Sequence, residues 1–392
     1  MLKKLSISHI SAGLAAILVG YTCSVVIVID AATAAGATSE QIGSWLLALG
    51  IAMGVSSIAF SAAYKVPVLT AWSTPGAALL ASSVGGFTLA ETIGACVVTA
   101  LLITLTGATR SLATFIQKIP TALTTAMLAG ILIPFGFKTF APLQNTPLLF
   151  GSMFLTYLIG KRFYPRYTML LLLIVGGMVT FYQGAFVFEG NSIAITKAVF
   201  VTPELSMGAV VSLSIPLYLV TMVSQNIPGI VMLQSHNYSV PFSRILVGTG
   251  ITNLLAAPFG GFSCNLAAIS AGICMGSEAD ENPENRYLAA ISAGVFYLIA
   301  GVFSTSLVAL FVAMPKELTQ MLAGFALLGI ILKSLSDAMY DEKTREGALI
   351  TLLVTASGVS FLGINSPVWG LTAGYVVCRF LLEPANAIVS SE

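Results

Sequence analysis

Charge is the scarcest property of this chain. Seventeen basic and sixteen acidic residues among 392 make up 8% of the sequence, against roughly 25% in an ordinary soluble domain. A soluble fold of this length presents a large wetted surface, and so few charges cannot cover it. Lipid is the solvent in which long uncharged runs are stable. The formal net charge of +1 removes the electrostatic case for a nucleic-acid partner. Histidine is nearly absent too. His9 and His236 lie far apart, near polar segments and without an acidic cluster. That argues against a metal site and for solvated loop positions. The five cysteines, Cys23, Cys96, Cys264, Cys274 and Cys378, form no CxxC pair and sit in apolar runs, the setting of buried free thiols. No run of residues pairs a buried nucleophile with a base, so neither an enzyme nor a cofactor is indicated.

What is present is apolar length: 57% of the chain is hydrophobic. Lys3 and Lys4 precede a run from Ile10 to Ile29 that superficially resembles a signal peptide. It is long enough to span, and no small-residue cleavage signal stands out, so it reads as a retained first helix. Uncharged runs recur at 10–29, 42–63, 66–84, 90–109, 119–137, 147–160, 167–185, 207–230, 244–257, 259–275, 287–308, 316–332, 346–363 and 367–382. The fold class expected is an all-α polytopic membrane protein of fourteen transmembrane segments. With both termini cytoplasmic, the inner face receives Lys3, Lys4, Lys65, Arg110, Lys118, Lys161, Arg162, Arg166, Arg244, Arg286, Lys333, Lys343, Arg345 and Arg379, which is 14 of the 17 bases. Only Lys138, Lys197 and Lys316 fall outside. An error of one span in the middle would scramble this positive-inside pattern.

The two halves of the chain echo each other. IPTALTTAMLAG at 119–130 resembles MPKELTQMLAG at 314–324, and STPGAALLA at 73–81 matches SCNLAAISA at 263–271 at a constant offset of 190. Seven spans per half is an odd number, so the second half enters the membrane inverted. Inverted repeats recur in secondary transporters, and channels contain them too. The repeats fall at 1–190 and 205–385.

Corresponding interrupted segments point to the chemistry. In VPVLTAWSTPGAALL (66–80), the β-branched stretch before Ser73 should be extended. Thr74-Pro75-Gly76 then resembles a helix start with Ser73 or Thr74 as N-cap. In the second half, Pro258, Gly260 and Gly261 precede Ser263-Cys264-Asn265, with LAAISAGI as the following helix. Half-helix N-termini meeting at mid-membrane make an anion site; ordinary proline kinks are the plainer alternative. LVTMVSQNIPG (219–229) holds the densest polar cluster, Ser224, Gln225 and Asn226, with Tyr218, Met222 and Gln225 on one helical face. It is either a substrate wall or helix–helix hydrogen bonding. Tyr21 in GYTCS offers a ring face and a hydroxyl, or simply interior packing. No acid or base lies clearly mid-span. Asp30, at the end of the first run, is the candidate proton-coupling acid, unless the substrate's own carboxyl group carries the proton.

The motifs VPVLTAWSTPGAALL and LVTMVSQNIPG, with MLAG at 127–130 and VTASG at 354–358, resemble those of the benzoate/proton symporter family. That family is similar in architecture to nucleobase–ascorbate and sulfate-type anion transporters. The resemblance covers essentially the whole chain. It implies a 7+7 inverted repeat and short β-strands opening spans 3 and 10. It also implies a core domain of 1–110 plus 207–308, a gate domain of 119–185 plus 316–382, and, by analogy, elevator-like movement and a homodimer. The nucleobase relatives carry an acid in span 8 where this chain has Ser224, Gln225 and Asn226, which argues against nucleobase recognition.

The expected function is therefore proton-coupled uptake of benzoate or a similar aromatic carboxylate across the inner membrane. The carboxylate would meet backbone N–H groups near Gly76, Ala77, Asn265 and Leu266, helped by Ser73, Thr74 and Ser263. Gln225 and Asn226, with Ser224 beside them, would approach from span 8, and Tyr21, Met222 and Phe262 would line the ring pocket. Rival readings are a sodium-coupled or uncoupled carrier of another small anion, and an anion channel on the same scaffold.

Overall fold

The computed structural model describes residues 5–109, 120–165, 167–185, 194–267 and 269–382. Lys3, Lys4, Arg110, Lys118, Arg166, residue 119 of the fifth run, Ala268 of the tenth, and positions 186–190 and 383–385 at the repeat ends lie outside them, as does the side chain of Cys23. In chain order the elements are α1 (Ile7–Ala34), α2 (Ser39–Tyr64), β1 (Thr70–Trp72), α3 (Thr74–Ser83), α4 (Leu89–Ala108), α5 (Thr121–Asn145), α6 (Pro147–Phe163) and α7 (Thr168–Tyr182). After an extended linker follow α8 (Met207–Ser235), α9 (Phe242–Ala256), β2 (Cys264–Leu266), α10 (Ile269–Met275), α11 (Tyr287–Val302), α12 (Ser304–Val312), α13 (Lys316–Met339), α14 (Arg345–Ala356) and α15 (Ser366–Leu382).

Among the described residues, six helical stretches are long and apolar enough to cross a bilayer: α2, α4, α5, α8, Pro283–Val302 and α13. The two halves of α1, bent by 44° between Thr22 and Ser24, make a seventh if counted as one. Every apolar run read from the sequence holds a helix or a strand leading into one. Helices α5, α8 and α13 run past the expected 137, 230 and 332, to Asn145, Ser235 and Met339, and two further runs change their pattern. The eleventh run breaks at Phe303 into α11 and α12. The thirteenth, expected to reach 363, ends its helix at Ala356, because Gly358 (φ 67°) and Gly363 (φ 71°) turn the chain into a left-handed hairpin. Trp369 Nε1 braces that hairpin by donating to the carbonyls of Phe361 (3.1 Å) and Ile364 (3.2 Å).

Helix starts follow local chemistry. Thr38 with Gln41 and Thr88 with Glu91 form capping boxes at α2 and α4, each satisfying two orphan N–H groups. His9 does the same for α1 and corrects the expectation of a solvated loop. It is buried in the first turns, where its Nδ1 accepts the Ser6 N–H at 3.0 Å. Its Nε2 lies 2.9 Å from Asp280 Oδ2, within ion-pair reach though off the line of a hydrogen bond. The imidazole nitrogen supplies the acceptor that a glutamate supplies in α4. Cys96, Cys264, Cys274 and Cys378 are buried and free, as expected.

Lipid tails are as apolar as leucine, so helices in a bilayer associate through close van der Waals contact rather than hydrophobic exclusion. Small residues supply that closeness. A Cβ on Gly50 of α2 would lie 2.7 Å from Gly301 Cα of α11, and one on Gly250 of α9 would lie 2.7 Å from Thr104 N of α4. α2 and α9, held by these two crossings, pack against the β1–β2 pair in a continuous buried core that includes Trp45, Phe262 and Tyr297. Gly50→Leu forces α2 from α11. It is expected to destabilise the purified protein by about 1–3 kcal/mol, the range for overpacked cores, read as a lowered thermal midpoint in detergent.

Candidate functional site

The site is built around two short strands held inside the helical body. β1 and β2 pair antiparallel with Thr70 opposite Leu266, Ala71 opposite Asn265 and Trp72 opposite Cys264. The ladder extends through Ser73 N–H to Ser263 O (3.0 Å) and Ala267 N–H to Leu69 O (2.9 Å). Valine- and threonine-rich sequence around Pro67 favours this extended backbone. The strands open the third and tenth runs, as the resemblance implied.

A two-stranded ribbon leaves both outer edges unpaired, and an unsatisfied backbone group away from water costs several kcal/mol. Here side chains replace the missing strands. Along α2, Met53, Ser57 and Ser61 recur every four residues on one face. Ser61 Oγ accepts the Val68 N–H (3.1 Å) and donates to Val68 O (2.9 Å), Ser57 Oγ accepts the Thr70 N–H (3.0 Å), and Met53 Sδ accepts the Trp72 N–H (3.0 Å). On the β2 edge, Asn253 of α9 clamps Cys264: its Nδ2 donates to the carbonyl (3.0 Å) and its Oδ1 accepts the N–H (2.6 Å). Asn226 of α8 accepts the Leu266 N–H at 3.3 Å.

Ser73 caps α3 as expected, its Oγ accepting the Gly76 N–H at 3.0 Å, with Pro75 in the first turn. The second half departs from the expected pattern. Ser263-Cys264-Asn265 does not start a helix; Cys264–Leu266 is the strand itself, and α10 begins only at Ile269. The free edge of β1 over Leu69–Ser73 draws 263–267 into the ladder. Ser73 and Ser263 therefore face each other across its end. The amides named for a carboxylate are also largely occupied. Gly76 N–H is held by Ser73 Oγ, Ala77 N–H by Ser73 O (2.8 Å), and Leu266 N–H by Asn226.

α8 is not a regular α-helix. Val210–Ser214 and Met222–Asn226 are π-helical turns, each followed two residues later by a proline, Pro216 and Pro228. A proline has no N–H for the carbonyl four residues back and crowds it, and a one-residue bulge relieves that crowding. Such bulges frequently mark functional sites. This one changes the expected face. Tyr218 turns to α4 and bonds Thr106 Oγ1, and the Met222 sulfur accepts from Asn226 Nδ2 at 3.5 Å. Gly229 lets α8 lie on β2, since a Cβ there would overlap Leu266.

The polar groups read from the sequence fall into two sets. Ser73, Asn226, Ser263 and Asn265 are fully buried and bonded within the protein: Asn265 Nδ2 donates to Ser263 Oγ (3.1 Å), which also meets Thr221 Oγ1 (3.2 Å). Ser224 Oγ donates to Val220 O at 2.6 Å. Three groups are unspent. The Tyr21 hydroxyl is buried without a partner. Thr74 and Gln225 are half-buried, and their side chains form no hydrogen bond among the described residues. Tyr21 lies edge-on to Trp72 with ring centroids 4.7 Å apart, and 6.1 Å from Tyr297. Trp72 Nε1 donates to Ser24 Oγ at 2.7 Å. Trp72 and Tyr297 escaped the sequence reading. Trp72 stands one residue before the α3 cap, a usable signal, whereas nothing distinguishes Tyr297 within its apolar run. Phe262 packs against Trp45, at 6.2 Å between centroids, and has no ring contact with Tyr21. Asp30 is exposed near the end of α1, nine residues past Tyr21 or ~13 Å of helical rise, and does not join the cluster. Because the Tyr21 hydroxyl has no protein partner, Tyr21→Phe is expected to leave the ligand-free protein as stable as the parent, or up to about 1–3 kcal/mol more stable, measured by thermal unfolding.

The sequence profile of the family described as "Benzoate membrane transport protein" matches residues 3–380. The inner membrane protein YdcO of Escherichia coli is 44% identical over 375 residues, covering 95% of this chain and 96% of that protein. The benzoate membrane transport protein of Acinetobacter baylyi is 39% identical over 379 residues, covering 97% and 96%. Among solved structures, SLC26A9 aligns with a TM-score of 0.64 at 13% identity, over 97% of this chain and 66% of that one. The transmembrane domain of the cyanobacterial bicarbonate transporter BicA aligns at 0.60 and 14% identity, over 94% and 98%. The chain thus shares the fold of these transporters and spans about two thirds of the length of SLC26A9. With the family matched across nearly its whole length, this protein belongs to the benzoate membrane transport protein family and is a membrane transporter, not an enzyme.

Proposed function

We propose that the protein carries benzoate or a similar aromatic carboxylate inward across the inner membrane, together with a proton, by alternating access. The observation that carries this reading is the set of polar groups without a hydrogen bond among the described residues, Tyr21 hydroxyl, Thr74 hydroxyl and Gln225 amide, together with the edge-on rings of Tyr21 and Trp72, two residues before Thr74. A benzoate needs an apolar slot for its ring and donors for its carboxylate. Thr74 opens α3, whose positive end adds about half an elementary charge. α10 is only seven residues long and contributes less than the sequence suggested. No fixed cation stands among these groups, so the anion is held weakly enough to leave, and a co-transported proton keeps the cycle close to electroneutral. The substrate's carboxyl group or Asp30 carries that proton.

Fourteen spans arranged as an inverted repeat fit the packing. Under a seven-plus-seven equivalence, the α2–α11 crossing maps onto the α9–α4 crossing, and both are closed by glycine. The β1–β2 and α5–α13 pairs map onto themselves. The core of 1–110 plus 207–308 then carries the site, and the gate of 119–185 plus 316–382 moves against it, with both termini cytoplasmic.

Uptake of labelled benzoate into proteoliposomes tests the reading. Accumulation driven by an inward proton gradient, collapsing with a protonophore and exceeding empty liposomes, is the expected result. No uptake above that control overturns the substrate, and dependence on sodium instead overturns the coupling ion. Gln225→Ala is expected to raise the benzoate KM about ten-fold, the scale of one hydrogen bond to a charged group, without loss of folded protein. Unchanged transport by that variant removes α8 from the site.

A further inference from the structure

We propose that Asn226 is a positioning residue: its carboxamide, bonded to the Leu266 amide, sets the separation between the substrate-facing turn of α8 and the two strands. The inference rests on the transport reading above and departs from the sequence expectation that Asn226 binds substrate directly. Asn226 and Gln225 are consecutive on one π-helical turn, yet they differ completely. Gln225 is half-buried and unbonded among the described residues. Asn226 is 0% exposed, its Oδ1 accepts the Leu266 N–H at 3.3 Å, and its Nδ2 donates to Met222 Sδ at 3.5 Å. Both the oxygen and the nitrogen of its carboxamide are engaged within the protein.

What it holds matters for the site. Leu266 pairs with Thr70 across the ladder. Thr70 is fixed in turn by the Ser57 hydroxyl at its N–H (3.0 Å) and by donating its own hydroxyl to Met53 O (3.0 Å). Thr74, at the start of α3, is four residues further along the same chain. A continuous path therefore runs from α2 through β1 and β2 to the turn bearing Gln225. Asn226–Leu266 is its side-chain link to that turn, and Thr221 Oγ1 to Ser263 Oγ (3.2 Å) is a second link to α8, five residues earlier. Asn253 secures the neighbouring Cys264 to α9, so β2 itself stays in place when Asn226 is altered. Loss of the bond leaves α8 tied to the ladder at Thr221–Ser263 and loosens the turn bearing Gln225 against β2.

The test compares Asn226→Leu, nearly isosteric and apolar, with Gln225→Ala, both in nanodiscs. Hydrogen exchange at the Leu266 amide, which needs no substrate, is expected to rise about ten-fold in Asn226→Leu, the scale of one lost hydrogen bond. Gln225→Ala should leave it unchanged. Asn226→Asp, which keeps an acceptor oxygen, should return exchange close to the parent value. In uptake assays Asn226→Leu should raise the benzoate KM several-fold with the maximal rate per folded molecule within about two-fold. If Asn226→Leu fails to fold, Asn226→Ser, too short to reach Leu266, takes its place. A raised KM with unaltered Leu266 exchange would overturn the proposal and make Asn226 a direct ligand. Raised exchange with unaltered KM would overturn it as well, leaving only a structural bond. Should the parent protein take up no benzoate, the transport reading fails by that result alone, and the exchange measurement still decides whether Asn226 holds Leu266.

Discussion

Extended backbone inside a membrane protein must satisfy every N–H and C=O without water. Most of this structure follows from how that demand is met. Two strands of three residues satisfy each other along one edge only. The outward N–H groups are taken by Met53, Ser57 and Ser61 from α2 and by Asn253 and Asn226 from α9 and α8, and the carbonyls of Val68 and Cys264 by Ser61 and Asn253. Three different helices must therefore sit within hydrogen-bonding distance of the ribbon. The glycine-mediated crossings of α2 with α11 and of α4 with α9 bring the surrounding helices to that distance.

The same demand separates structural polar groups from functional ones. In water a serine or asparagine needs no protein partner. In this interior one without a partner is costly, and nearly all the buried hydroxyls and amides near the strands are bonded. Groups left unspent stand out against that background. Of the polar groups the sequence singled out for the site, the Tyr21 hydroxyl, Thr74 and Gln225 are the ones without a hydrogen bond among the described residues, and they lie on three separate elements, α1, α3 and α8; Trp45 Nε1 on α2 is a further buried donor without a partner. A carrier must release what it binds, and neutral donors with a helix terminus hold an anion less firmly than a buried lysine or arginine would.

The irregularity of α8 has a local cause with a distant effect. Pro216 and Pro228 each withdraw one donor from the helical ladder, and a π-turn precedes each. The second turn places Gln225 and Asn226 on different surroundings even though they are adjacent, one open and one sealed against β2. A regular helix with the same sequence would have presented Tyr218, Met222 and Gln225 on a single face.

The sequence by itself determined the solvent, the approximate limits of the apolar segments, the extended stretch before Ser73, a helix cap at Ser73 or Thr74 and the polar cluster at 224–226. These depend on composition, on proline and glycine, and on contacts between residues a few positions apart. Tertiary structure decided which polar groups are free. Whether Asn226 or Gln225 meets a ligand depends on Leu266, forty residues away, and whether Gly76 offers its amide depends on the rotamer of Ser73. It also decided where the second half-helix begins, because pairing with β1 consumed the residues that looked like its start. His9 became buried for the same kind of reason: the capping bond is local, but Asp280 reaches it only through the packing of α1 against the α10–α11 connection. Local chemistry is written along the chain; the pairing of groups far apart in it exists only once the helices have packed.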